Sequence, residues 1–347
     1  MKDAGEAIGF FTPGALFRLV LRLAVAGTLL VLVFRMALPD REAGFLAAIL
    51  AAWQTGPGEA ACWLALAFSL LGVSFSIGTT RFSTLLAGAG FEVAWWVLLR
   101  AYLVAGFFNL VLPGAILGDA YRVWDVRRAA GEGSRALGIV AVERLLGFSA
   151  LGCFGLVAVP FIPLPGEDRY LAAIAMAACA LIALVTVFAL HPTTNRLLRN
   201  LIRPIARISK RGASVIDNAL GAVADLAESP RVLWRAFALS LLNQGLPVVA
   251  VYCLAIPLAG MDIDWYWFAI IVPFVTLVSV IPISLGGTGV REYLYVALFG
   301  AVGMPSEAAL ALSLSLLATA IAWAMVGFAI FSIDRQRGDF HAPNPAS

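Results

Sequence analysis

Residues 107–122 read FFNLVLPGAILGDAYR and residues 276–292 read TLVSVIPISLGGTGVRE. In each, an apolar run suited to a helix meets a proline, Pro113 or Pro282, and then glycine and charge. Proline removes a backbone donor and clashes with the preceding turn, so both helices are expected to break there. Counted from the proline, a glycine stands five residues on (Gly118, Gly287) and an arginine nine on (Arg122, Arg291). Trp96 and Trp265 each stand seventeen residues before it, a spacing that suits an interfacial belt. The two stretches read as copies of one broken-helix unit.

The rest of the chain identifies the solvent around these breaks. Of 347 residues, 61% are hydrophobic and 13% charged, against about 45–50% and 25% in soluble domains. The apolar residues come in blocks of about twenty, the length that crosses roughly 30 Å of hydrocarbon. Candidate spans are 16–38, 59–78, 136–160, 168–190, 234–257 and 306–332, while 93–112 and 265–282 run into the two breaks. The first block is flanked by Arg18 and Arg22 before it and Arg35 after it, with no small-residue cleavage site, so it reads as a retained anchor. The expected fold is an all-α polytopic membrane protein in one membrane domain, 1–347: about six full transmembrane helices plus two re-entrant helical hairpins.

Lysine and arginine are retained in cytoplasmic loops. With the N-terminus inside, Lys2, Arg18, Arg22, Arg81, Arg127, Arg128, Arg135, the run from Arg196 to Arg211, Arg231, Arg235, Arg335 and Arg337 are cytoplasmic, and Arg35, Arg41 and Arg169 face out. This count works only if 93–128 and 265–302 return to the side they came from. The chain then divides into span, span, hairpin, span over 16–160 and again over 168–332. Three spans per half set the halves in opposite senses, the inverted repeat of secondary transporters. Both termini are expected to be cytoplasmic, in the cytoplasmic membrane. Between the halves, residues 193–229 alternate Leu197, Leu198, Leu201, Ile205 and Ile208 with Arg196, Arg199, Arg203, Arg207 and Lys210. This amphipathic pattern suits contact with anionic lipid headgroups, worth on the order of 1 kcal/mol per basic residue, although Pro204 would kink the helix. The plainer alternative is a loop that only sets topology.

Little else in the chain suggests chemistry. Cys62, Cys153, Cys179 and Cys253 are scattered through apolar blocks, and His191 and His341 are the only histidines, so no metal or other cofactor is expected. A net charge of +3 spread over loops gives no nucleic-acid face. GGTG at 286–289 is followed by no lysine of a nucleotide loop. A helix break inside a bilayer is tolerated only where protein or a water-filled cavity satisfies its backbone, so the breaks mark a cavity. A charge at bilayer centre costs roughly 2.5–3.5 kcal/mol on the most lenient scale, and a helix N-terminus beside an arginine suits a lipid phosphate. The candidate substrate-binding set is therefore Gly118, Asp119, Arg122, Arg144, Gly286, Gly287, Gly289, Arg291 and Glu292. The alternative for these charges is snorkelling into headgroups, easiest for Glu143 and Arg144, about two turns inside their span. Asn109, Asn243 and Gln244 read as interhelix hydrogen-bond partners.

FFNLVLPGAILGDAYRVW (107–124), VERLLGF (142–148) and VIPISLGGTGVRE (280–292) resemble the signatures of the lysylphosphatidylglycerol synthase transmembrane-region family, also called flippase-like. The resemblance covers nearly the whole chain. It implies a domain that moves lipids between leaflets, which in bifunctional members precedes a soluble aminoacyl-transferase domain. Leu117 stands where the family usually has a second glycine before the aspartate, which predicts a looser backbone approach at Gly118. About fifteen residues follow the last span, leaving no room for a transferase domain. The chain is expected to be no enzyme but a translocase for a phosphate-bearing or otherwise anionic membrane lipid. A membrane-embedded transferase using Asp119 and Glu292 as acid and base, or a scaffold of a lipid-synthesis complex, are the alternatives.

Overall fold

A computed structural model describes residues 56–111, 116–158, 210–258, 263–280 and 289–336, with a few isolated positions besides. Among the described residues there are nine helices and no strand; the sole sheet-like contact is an antiparallel bridge between Trp53 and Leu258. Helix α1 spans Pro57–Gly88. Its proline sits in the first turn, where a missing N–H costs nothing, and Glu59 complements the helix dipole. Gly90 then turns the chain at φ 84°, and the Phe91 N–H donates back to the Leu86 carbonyl.

Helices α2 (Trp95–Val111) and α3 (Ile116–Ala130) flank Pro113. After α4 (Gly133–Ala158) come α5 (Lys210–Ala227) and α6 (Pro230–Ala255). Helices α7 (Trp265–Val280) and α8 (Val290–Ala301) flank Pro282, and α9 covers Ser306–Gln336. The expected breaks at Pro113 and Pro282 fall in 112–115 and 281–288, which lie outside the described residues. At 17 and 16 residues, α2 and α7 reach only about 25 Å, short of the hydrocarbon thickness.

Four helices, α1, α4, α6 and α9, are long and apolar enough to cross a membrane. They cover the expected spans 59–78, 136–160, 234–257 and 306–332, apart from a few end residues; the spans 16–38 and 168–190 fall almost wholly outside the described residues. Helix α1 packs along α6, α2 packs against α9 and α7 against α4. Likewise α3 lies on α2 and α4 as α8 lies on α7 and α9. Exchanging 57–158 for 230–336 maps this set of contacts onto itself. The apolar core is correspondingly in two parts, one around Phe268, Tyr295 and Phe299, the other around Phe82, Leu85 and Ile139.

Only the second part of the basic segment 193–229 can be followed. There α5 buries Ala222 and Leu226 completely and packs on α4, α6 and α1. At Gly138 of α4 an added Cβ would collide with the Ala219 carbonyl. This part is docked on protein instead of resting by itself on a leaflet, because its apolar face finds helices to cover. Most of the arginine-bearing stretch, 196–208, lies outside the described residues.

Candidate functional site

The site begins where α3 starts against α2. The Gly118 N–H donates to Asn109 Oδ1 at 3.1 Å. A Cβ on Gly118 would stand 2.6 Å from the Ala105 carbonyl oxygen and collide with the Asn109 side chain. The two backbones are thus in close approach, and the looser contact expected from Leu117 is overturned: one glycine suffices because Asn109 meets the freed N–H. Asp119 falls in the first turn of α3, where a carboxylate complements the helix dipole. It accepts from Arg122 Nη2 through Oδ1 at 2.5 Å and from Arg144 Nε through Oδ2 at 2.6 Å.

Arg122 links this pair to a deeper one. Its Nη1 donates to Glu143 Oε2 at 2.7 Å, and its guanidinium lies over the rings of Phe82 and Tyr102, 5.0 and 4.5 Å from their centroids. Glu143 Oε1 accepts from Arg81 Nη2 at 2.7 Å and from the Tyr102 hydroxyl. Arg81 Nη1 donates in turn to Ser240 of α6 at 3.1 Å. One carboxylate with 1% of its side chain exposed therefore ties α1, α2 and α3 to α4, and through Arg81 to α6. A buried ion survives only with such partners. Two sequence expectations are corrected here. Arg81 is buried within α1 and is no loop charge, so it drops out of the topology count. Glu143 does not snorkel, because three donors converge on it.

Three arginines and two carboxylates leave this network one formal positive charge. It lines a cavity of about 220 Å³. Arg144, the most accessible of the three arginines at 30%, lines that cavity together with Gln244 and Gly147. The side chain of Gln244, expected to bridge helices, makes no hydrogen bond with any described residue. Asn243 does bridge, since its side-chain and main-chain oxygens accept from Ser74 Oγ at 3.0 and 3.1 Å.

A second cavity of about 440 Å³ adjoins the first. Phe75, Tyr102, Gly106, Asn109 and Thr276 line both, so α1, α2 and α7 form their common wall. Its lining is mainly apolar, with Leu71, Val251, Val272 and Leu316, and it includes Arg291. Gly289 is the N-cap of α8 at φ 86°, a left-handed conformation that disfavours any side chain. Glu292 accepts from the Gly289 N–H and, through Oε1, from Arg291 Nη2 at 2.9 Å. Fully buried, Glu292 starts the helix and holds Arg291, and it lines neither cavity. Gly286 and Gly287 lie outside the described residues. The structure thus gathers Asp119, Arg122 and Arg144 at one chamber, with Gly118 packed behind its wall, and presents Arg291 to the other. Among the described residues no three metal-ligating side chains of the His, Cys, Asp or Glu type converge.

Residues 9–330 match the family described as Lysylphosphatidylglycerol synthase TM region. The chain belongs to that family. It is also 25% identical, over 278 residues, to a UPF0104 membrane protein of Pyrococcus horikoshii, covering 74% of this chain and 81% of that one. Membership and the four membrane-length helices together make this a multi-pass membrane protein. In this member of the synthase transmembrane-region family, sequence reading passed over Arg81, Tyr102 and Glu143 as site residues. Arg81 had a signal, since it interrupts an apolar helix of 32 residues, and so did the adjacent charges of VERLLGF. Tyr102 had none.

Proposed function

We propose that this chain is a translocase that moves a phosphate-bearing or otherwise anionic lipid between the leaflets of the cytoplasmic membrane, without a cofactor and without making a product. The observation that carries this reading is the pair of adjoining chambers. One carries the charged network with its excess of positive charge, the other is mainly apolar, and helices of both halves line them. An amphipathic lipid has the same division. In this reading Arg144 exchanges Asp119 for the headgroup phosphate, Arg122 keeps Asp119, and the phosphate neutralises the one formal positive charge of the network. A guanidinium grips phosphate through parallel hydrogen bonds, and Arg291 offers a second grip from the apolar side.

The reciprocal packing supports an inverted repeat, with α2/α3 as a hairpin entering from the cytoplasm and α7/α8 as one entering from outside. Two such halves around a common cleft suit alternating access, with both termini in the cytoplasm. The test is leaflet exchange of fluorescent lipids in liposomes holding the purified chain. Exchange of anionic phospholipid above protein-free liposomes is expected, falling at least about tenfold in Arg144→Gln, the loss of one charge-assisted phosphate contact. Chemical conversion of the lipid would assign a transferase, and neither exchange nor conversion a scaffold; both would overturn the reading.

A further inference from the structure

A groove of about 550 Å³ opens between the last turns of α1 and the first turns of α6. It shares no lining residue with the two chambers. One wall is a hydroxyl-bearing face of α1, with Thr80, Ser83 and Thr84 at helical spacing; the other carries Arg231 and Arg235, one turn apart on α6. Both arginines are exposed, and neither side chain makes an ion pair or hydrogen bond with a described residue. The Ser83 hydroxyl, half-buried, also has no hydrogen-bond partner among them. The helices are close at the floor of the groove, where a Cβ on Gly88 would come within 2.7 Å of Val232 Cγ1.

Tryptophans give the depth of this groove. Trp95 Nε1 donates to Thr80 Oγ1 at 3.1 Å. Trp96 and Trp234 beside it are each 71% exposed. Exposed indoles on a membrane protein settle at the headgroup level, with an apolar ring and a wet N–H. Two arginines without described partners and an unused hydroxyl, set between such tryptophans, face the stratum where lipid phosphates lie. A soluble anion would meet the same donors but would gain nothing from the flanking apolar surface.

We propose that this groove holds the headgroup of an anionic phospholipid as a resident ligand, distinct from the lipid that is moved, bracing α1 against α6. The arginines take the phosphate and Ser83 adds a donor, while the acyl chains run down the outside of the helix pair.

The test uses the purified full chain in detergent, with phosphatidylglycerol, phosphatidylcholine or inorganic phosphate added, read by native mass spectrometry and by thermal unfolding. Phosphatidylglycerol is expected to be retained and to raise the unfolding midpoint, and the other two are not. The double variant Arg231→Gln/Arg235→Gln should lose one retained lipid, with affinity reduced on the order of fivefold for each arginine removed. Arg231→Lys/Arg235→Lys, which keeps the charge, should recover part of it. Arg144→Gln should keep the groove lipid and lose at most the one in the chambers, and the triple variant with Arg231→Gln and Arg235→Gln should retain less than either parent, which separates this site from the chambers. Equal stabilisation by inorganic phosphate would overturn the lipid assignment. Full retention of phosphatidylglycerol by the double glutamine variant would overturn the site.

Discussion

The two broken-helix units carry an arginine at the same offset from proline, yet use it differently. In α2/α3, Arg122 has 6% of its side chain exposed and is held by two carboxylates and two aromatic rings. In α7/α8, Arg291 is 16% exposed and pairs with its chain neighbour Glu292, itself occupied in starting α8. The first arginine is committed to holding four helices together; the second borders the roomier, apolar chamber. The difference lies in what the last helix of each half brings near. Glu143 on α4 reaches Arg122, whereas α9, its counterpart behind α8, carries small and apolar residues such as Ala320 and Leu316 into the chamber. The two units thus pack alike while they diverge in charge.

The comparison breaks outright if the units enter from the same side. In a cysteine-free background, Glu92→Cys, just before α2, should stay shielded from an impermeant thiol reagent in intact cells. Asp264→Cys, just before α7, should label. Labelling of both, or of neither, would remove the inverted sense.

Next in size is the loss of the hub. Glu143→Ala leaves Arg81 and Arg122 buried without their shared carboxylate, which should cost about 3–5 kcal/mol of stability. Thermal unfolding in detergent would register it as a large fall in midpoint and yield. A near-native midpoint would mean that Arg122 is as available to ligand as Arg291.

Arg291→Lys asks the complementary question. Lysine can keep an ion pair with Glu292 but offers a point charge where a planar fork stood. Stability should change by less than about 1 kcal/mol, the scale of one net hydrogen bond, while lipid exchange in liposomes falls several-fold. Equal loss of both would make Arg291 structural like Arg122.

The smallest effects separate the glycines. Gly289→Ala forces a side chain into left-handed backbone at φ 86°, costing about 1–2 kcal/mol. Gly118→Ala fails for want of space, at about 1–3 kcal/mol. Asn109→Ala should therefore rescue Gly118→Ala in part, since it removes one of the two obstructing groups, and should not rescue Gly289→Ala. The check is a double-mutant cycle of unfolding midpoints.

Much of the fold was legible in the residues. The four long spans and the hydrogen bonds of Asn243 and Asn109 to neighbouring helices follow from hydropathy and amide chemistry acting over short stretches. Asp119 and Arg122 stand out in the sequence as charges too costly to leave unexplained and Arg144 as one that could equally snorkel, and the structure sets all three on one cavity. Arg81 and Tyr102 do not stand out. An arginine near a helix end looks like any loop charge until its partner is known, and a tyrosine in an apolar run looks like packing.

Hydrophobic length alone identifies the solvent and the places of the four long spans, because it acts through neighbours in the chain. Only the tertiary structure decided which charges are committed and which face the cavities. Arg81 and Glu143 are 62 residues apart, and Arg81 and Ser240 are 159 apart. In a bilayer every buried charge must find a partner wherever the fold supplies one, and no local pattern encodes a meeting across that distance.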